Sequence, residues 1–338
     1  MATIDGSNIT DKGIPPAPPN DYYEVRAIDG KGYGCFALKP IKRGTRILAD
    51  DPLLVVPVAH YLQSDIQQAF DKLSPKQQKL YFTLHSGHGQ NPKNWPSRIH
   101  ESVEPLERQR IQEQHNARLG GEASLISIFQ TNCMEMNKGA AIFPNAARFN
   151  HCCNPNACFT WNEAIGKETI HVMNEVQAGE EITLSYCDMI HDKILRSWEL
   201  KHYGFACDCR ACIGDEDDES TFAHQSAERR FRLQDLERET RFLRGKRLED
   251  GAKTKGYVEK LLKMAALHQK EGNFTARLAN VFIDISLVCE MKGDLRMAVL
   301  TAAKAVQVKK DCQGADFPEF SRYDEVLQRI KAKFAQVS

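Results

Sequence analysis

An α+β chain is predicted, in which two β-rich pieces of short, bent strands are split by a helical insertion and followed by an all-helical C-terminal region. Three observations predict it. Short apolar runs cut by glycine and proline fill residues 22–58 and return at 169–186, the texture of strands and turns. Between them, apolar residues recur at helical spacing. Beyond Cys212, apolar stripes of the same kind follow one another as far as residue 306. The chain has 338 residues, 42% of them hydrophobic, enough for a core shared between two or three modules, which excludes disorder throughout.

Taken in order, residues 1–20 carry Pro15, Pro16, Pro18 and Pro19 among polar neighbours and are expected to be a flexible tail. The first β piece, 21–60, has apolar runs at 22–28, 33–38, 46–48 and 53–56, separated by Gly30, Gly32, Gly34, Gly44 and Pro52. The insertion is placed at 61–125, within a stretch 60–136 that reads mostly helical. Ser74-Pro75 is a helix start, Leu73, Leu80 and Leu84 lie seven and four apart on one face, and 87–97, with Trp95, interrupts as a loop. In the second β piece, 126–190, runs at 169–173 and 182–186 flank the turn-forming Gln177-Ala178-Gly179-Glu180, the pattern of a hairpin. A cysteine-bearing segment, 191–213, follows. The last part, 214–338, opens on Gly214-Asp215-Glu216-Asp217-Asp218-Glu219, a self-repelling run that suits a solvated linker. Helical stripes at 231–243, 258–267, 278–288 and 295–306, with Gly272 and Gly293 between consecutive ones, suggest stacked antiparallel pairs of the tetratricopeptide kind, without a clean fixed period.

Lys+Arg and Asp+Glu both total 45, so no global basic excess favours nucleic acid, and none is expected as a direct partner. Residues 1–10 lack the basic and apolar regions of a signal peptide, and no run approaches a membrane span, so the expected compartment is nucleus or cytoplasm with no membrane partner. Thiols stay reduced there. The 11 cysteines therefore read first as metal ligands or reactive groups.

Cys207-Asp208-Cys209-Arg210-Ala211-Cys212 presents three thiols within six residues, a spacing that lets one looped segment offer several sulfurs to a Zn²⁺ ion at about 2.3 Å. A closed structural site needs a fourth ligand. Spacing leaves Cys152, Cys153, Cys133, Cys158, Cys187 and His202 all open. Upstream, Arg148-Phe149-Asn150-His151-Cys152-Cys153-Asn154-Pro155-Asn156 concentrates amides, an imidazole and thiols, which suit either a polar ligand or a turn stapled by asparagine side chains. Leu184-Ser185-Tyr186 ends an apolar run on a tyrosine, which taken alone reads as packing.

Together these pieces resemble the SET-domain lysine methyltransferases. Gly32-Tyr33-Gly34 matches the family's early Gly-x-Gly, 150–156 its Asn-His-x-Cys-x-Pro-Asn string, Tyr186 its catalytic tyrosine, and Cys207, Cys209 and Cys212 its post-SET Cys-x-Cys-x-x-Cys tail, all in the family's order. The resemblance covers 22–212 and is nearest to the SMYD-like group and its fungal relatives, which split the SET core with a helical insert and append helices. Two departures stand out. The MYND zinc finger is missing, since 60–132 contains no cysteine, and Cys152 replaces the usual serine.

The resemblance implies S-adenosylmethionine as methyl donor and a protein lysine as acceptor, a basic tail being one candidate that the acidic run could attract. Tyr186 would be catalytic and contact the cofactor. Tyr203 and Phe205 would join it in lining the lysine channel, with Phe205 also covering the cofactor. Gly32, Tyr33, Gly34, Asn132, Asn150 and His151 would bind the cofactor, and Lys31 would neighbour its carboxylate. Cys153 would complete the zinc set with Cys207, Cys209 and Cys212. The remaining cysteines, Cys35, Cys289 and Cys312 among them, read as small core residues, with Cys152 a candidate redox sensor. The competing reading is a catalytically weak SET-fold scaffold that binds partner peptides through its helical C-terminal region. A monomer is expected.

Overall fold

The structure is a computed structural model that describes residues 20–214, 218–241, 243 and 251–337, with side chains from 256 in the last segment. The expected tail up to residue 19 and the centre of the acidic run, 215–217, lie outside the described residues.

Among the described residues, nine short strands form three three-stranded antiparallel sheets. β1 (Tyr23–Ile28), β2 (Gly32–Ala37) and β9 (Glu181–Ile182) make the first, in the order β1-β2-β9. β3 (Arg46–Asp50), β8 (Lys167–Val172) and β7 (Ala157–Asn162) make the second, and β4 (Leu54–Val56), β6 (Gly139–Ile142) and β5 (Cys133–Met136) the third. Strands this short cannot bury much alone, so the sheets share one core in which Tyr23, Cys35, Ile47, Phe143, Phe149, Ile170, Val172 and Ile182 meet.

The insertion packs α1 (Gln63–Phe70), α2 (Pro75–Tyr81), α3 (Pro105–Leu119) and α4 (Leu125–Asn132) onto the third sheet through Ile66, Phe70, Tyr81 and Phe129. Ser74 caps α2 as expected, exchanging hydrogen bonds with Gln77 ahead of Pro75, and Leu73, Leu80 and Leu84 line the same small core. The stretch around Trp95 is a loop with one 3₁₀ turn, Pro92–Asn94.

Three expectations are corrected. Residues 133–136 continue α4 directly into a strand, so the helical reading to 136 ends four residues early and the β5–β6 hairpin is new. The runs 169–173 and 182–186 do not pair with each other; β8 lies between β3 and β7, and β9 pairs with β2. Nor does a strand reach Tyr186. β9 ends at Ile182, and Leu184 makes a single parallel bridge to His151. Alternation alone identified apolar segments but could not choose their partners.

α5 (Lys193–Leu200) lies in the cysteine-bearing segment, and the C-terminal region, helical as expected, contains α6 (Phe222–Thr240), α7 (Gly251–Glu271), α8 (Ala276–Met291), α9 (Leu295–Gln313) and α10 (Phe320–Val337), the last beyond the stripes named from the sequence. Gly272 and Gly293 sit at the turns where they were expected. α9 buries Ala298, Ala302 and Ala305, small side chains that let α8 approach closely over Leu278, Phe282 and Ile285. No helix among the described residues is long and apolar enough to cross a membrane.

Candidate active site

The site forms where residues 150–156 run alongside 181–186. The Leu184 amide donates to the Asn150 carbonyl at 2.9 Å, the Cys152 amide to the Leu184 carbonyl at 2.8 Å and the Ala157 amide to the Thr183 carbonyl at 3.1 Å. Asn156 staples the crossing, accepting from the Thr183 amide and donating to the Glu181 carbonyl, both at 2.9 Å. Asn154 donates to the Glu271 carbonyl at 2.6 Å. These two amides serve the turn and its packing, while Asn150 faces the other way. Its Nδ2 donates to the Tyr33 carbonyl at 2.9 Å and to Glu181 Oε1 at 2.8 Å, joining the crossing to β2.

The glycines at the start of β2 act differently from one another. Gly32 has φ +77°, a left-handed conformation, and a Cβ there would meet no atom within 4 Å, so it opens onto free space beside the Asn150 turn. Gly34 has no such room: a Cβ would lie 2.5 Å from Glu181 Oε1 and Ile28 Cδ1 and 2.9 Å from Asn150 Nδ2. Its missing side chain makes way for the chain's own Asn150–Glu181 pair.

His151 accepts a hydrogen bond from the Tyr186 amide at Nδ1, 2.9 Å, and holds Nε2 3.2 Å from Cys153 Sγ. Burial pushes its pKa down to about 4, so the ring is neutral at pH 7 and Nε2 carries the proton. Tyr186 donates its hydroxyl to the Phe149 carbonyl at 2.6 Å. Burial, then Tyr203, raise its pKa far above the ordinary phenol range, so it remains un-ionised. Tyr186 and Tyr203 have ring centroids 4.9 Å apart, His151 lies 5.3 Å from Tyr186, and Phe205 lies 6.0 Å from His151 and 6.4 Å from Tyr203. Four rings from three segments thus form one aromatic cage, with Phe205 on its exposed side.

Beside the cage, the sulfurs of Cys153, Cys207, Cys209 and Cys212 all lie within 4.8 Å of one another, with Cys153 and Cys212 3.4 Å apart and every cysteine a free thiol. Tetrahedral zinc at about 2.3 Å per bond sets sulfurs about 3.8 Å apart, so this set fits a closed structural ion. The thiols already share protons unequally: hydrogen bonds from Cys152 and its neighbours push Cys209 well below the ordinary thiol range, and those led by Cys153 bring Cys212 to about 6. Arg196 is buried against them, with its guanidinium 3.7 Å from Cys212 Sγ and bound to the Ala211 carbonyl, a positive charge suited to an anionic thiolate cluster.

Two expected site residues stand apart from this geometry. Lys31 pairs with Asp208 at 2.7 Å, clasping the β1–β2 turn to the cysteine loop. Asn132 ends α4, with Nδ2 donating to the His85 and Ile128 carbonyls at 2.7 Å each. Cys187, expected as a small core residue, packs against the cluster of Cys153, Leu200 and Ala211 and also groups with His151 and Cys153. Glu181, Arg196 and Arg230 were missed. Glu181 had a weak signal in the Gly179-Glu180-Glu181 turn; the two arginines had none, because their partners are distant in sequence.

Residues 32–187 match the SET domain family. The matched segment, just under half of the chain, is similar to a SET domain. The SET domain-containing protein L678 of Acanthamoeba polyphaga mimivirus is 29% identical over 197 residues, covering 56% of this chain and 76% of the viral protein. Histone-lysine N-methyltransferase set5 of Schizosaccharomyces pombe is 27% identical over 202 residues, 58% of this chain and 52% of that one. N-lysine methyltransferase SMYD2 of Gallus gallus is 34% identical over 106 residues, 28% of this chain and 24% of that one. This chain therefore spans about half of the yeast relative and about a quarter of the chicken one. The matched SET segment begins at Gly32 and ends one residue after Tyr186, bracketing the glycine turn, the Asn150–Asn156 crossing and the tyrosine. The four-cysteine cluster takes only Cys153 from within it.

Proposed function

We propose that this SET domain transfers a methyl group from S-adenosylmethionine to the side-chain amine of a lysine in a protein. The observation that carries the reading is the aromatic cage of Tyr186, Tyr203 and Phe205 standing beside the Gly32–Asn150 turn. The names of the yeast and chicken relatives, both lysine methyltransferases, support it. Gly32, Tyr33, Gly34, Asn150 and His151 would hold the cofactor, with Phe205 over it and Asn132 as a further contact. Lys31 would serve its carboxylate only by leaving Asp208 or sharing it. The cofactor supplies an electrophilic methyl on a sulfonium.

This chain's residues supply alignment and dryness. A free lysine has a pKa of about 10.4 and is protonated at neutral pH. Rings that strip its water favour the neutral amine, so no strong base is needed. Tyr186, un-ionised and with its proton committed to the Phe149 carbonyl, keeps its oxygen lone pairs as acceptors that orient the amine. Zinc held by Cys153, Cys207, Cys209 and Cys212 would tie the crossing to the loop that carries Tyr203 and Phe205. The reading extends to a monomer acting in nucleus or cytoplasm on histone or non-histone proteins.

The test is transfer of labelled methyl from S-adenosylmethionine to histones and to whole-proteome extract, with Tyr186→Phe as control. Labelling by the wild type alone is expected. If the chain binds the cofactor, labels nothing and captures peptides through its helices, the scaffold reading replaces this one.

A further inference from the structure

Arg118, at the C-terminal turn of α3, is 8% exposed. Its guanidinium has no hydrogen bond or ion pair among the described residues, and its Nε is buried without a partner. Its close neighbour is the face of Trp95, 4.9 Å from the ring centroid. Lys201 places Nζ 4.7 Å from the same ring and likewise forms no ion pair among the described residues. His115 and His202 close the cluster, 5.4 Å and 5.2 Å from Trp95, and His202 Nδ1 is buried without a partner. The other groups acting on Arg118 are Tyr61, a neutral phenol, and Arg110, already paired with Glu107. Burial, then the positive charges of Arg118 and Lys201, hold His202 near pKa 4, so its ring is neutral at pH 7.

A buried guanidinium without a carboxylate is costly. The carbonyl ends of α3 and α5 offset part of that cost, since Arg118 and Lys201 both lie at helix C-termini. They offer no hydrogen bond to the guanidinium, whose planar fork stays free. Trp95, His115, Lys201 and His202 are only half-buried, so the cluster opens to solvent.

We propose that Arg118, Lys201, His115 and His202 form an anion site around Trp95 that takes a single phosphate group. The donor set favours phosphate over a carboxylate: a fork, an ammonium and two imidazoles can meet more oxygens than a carboxylate has. Lys201 and His202 immediately precede Tyr203, so occupancy lies next to the aromatic cage without depending on methyl transfer.

The test titrates the full chain, by calorimetry and thermal shift, with inorganic phosphate and with a phosphoserine peptide against its unphosphorylated twin. Saturable one-to-one binding is expected, weakened about ten-fold or more by Arg118→Met, as loss of one charge-assisted fork implies. Phosphate should raise the melting temperature of the wild type and not of the variant. Lys201→Met, at the rim, should weaken binding several-fold and serves where Arg118→Met does not fold. Tighter binding of the phosphopeptide identifies a phosphorylated side chain as the source; equal or weaker binding identifies free phosphate. Binding of neither probe, or binding that both variants leave unchanged, overturns the site.

Discussion

Tyr186 has one hydroxyl proton and gives it to the Phe149 carbonyl at 2.6 Å, so structure and proposed chemistry rest on the same atom. Tyr186→Phe should lower kcat on the order of 10²-fold by removing the orienting oxygen. The stranded carbonyl should cost about 1–3 kcal/mol, seen as a modest fall in melting temperature. A variant with unchanged kcat would remove Tyr186 from the mechanism. Gly34→Ala should weaken cofactor binding about ten-fold by pushing Glu181 away from Asn150, and titration with S-adenosylmethionine measures it. At this scale the sequence was partly legible. Cys207, Cys209 and Cys212 sit in a short string whose spacing is itself informative, whereas Gly32, Asn150, Cys153 and Tyr186 stood out only through the family resemblance. Arg196 and Arg230 act only through neighbours brought together by the fold and no local string marks them, while Glu181 had only the weak signal of its turn.

Among elements, the cysteine loop and the second sheet behave differently. Cys209→Ser removes one of four sulfurs and should abolish stoichiometric zinc while lowering cofactor affinity, because the loop continues from Tyr203 and Phe205. Elemental analysis beside a cofactor titration checks it, and normal cofactor affinity in a zinc-free variant would break the link. In the β3–β8 ladder Asp50 stands opposite Glu168. Asp50 accepts from the Asn145 amide, Asn145 Nδ2 and the Ala146 amide, whereas both Glu168 oxygens are buried without a partner. Burial, then Asp50, push Glu168 up to about 8 from an ordinary 4.5. The folded chain therefore binds this proton more tightly than the unfolded one, and stability is lost as pH rises from about 4.5 to about 8. Glu168→Gln should flatten that fall, so its melting temperature should exceed wild type at pH 8 by more than at pH 5. Equal pH slopes would show that Glu168 does not set it. The ladder could not be read beforehand because apolar alternation marks strands without naming partners, and β9 is too short to alternate at all.

For the whole molecule, the helical region reads as an appendage because its interface residues look like a solvated face. Instead they are paired. Asp316 binds Arg46 and Asn162, Asp311 pairs with Arg43 at 3.4 Å, and Asn174 donates to the Gly272 carbonyl at 2.7 Å. The most consequential contact is Arg230, fully buried on α6. It donates to the Cys153 carbonyl at 2.6 Å and to the Met189 carbonyl, and pairs with Glu271 at 2.9 Å. Ser226 and Arg229 hold the same carboxylate at 2.6 Å each. Since Cys153 is a candidate metal ligand, α6 and α7 grip the cysteine turn from behind. Arg230→Met should cost about 3–5 kcal/mol, as removing one partner of a buried ion pair does. It should also free the Cys153 backbone, speeding zinc release to a chromogenic chelator. Glu271→Gln, by contrast, removes the charge that Arg229 and Arg230 share but leaves Arg230 on the Cys153 carbonyl, so it should cost stability without speeding zinc release. Thermal unfolding and chelator kinetics on both variants separate the two effects. If Arg230→Met unfolds more easily while releasing zinc at the wild-type rate, the helices support the fold without reaching the metal site.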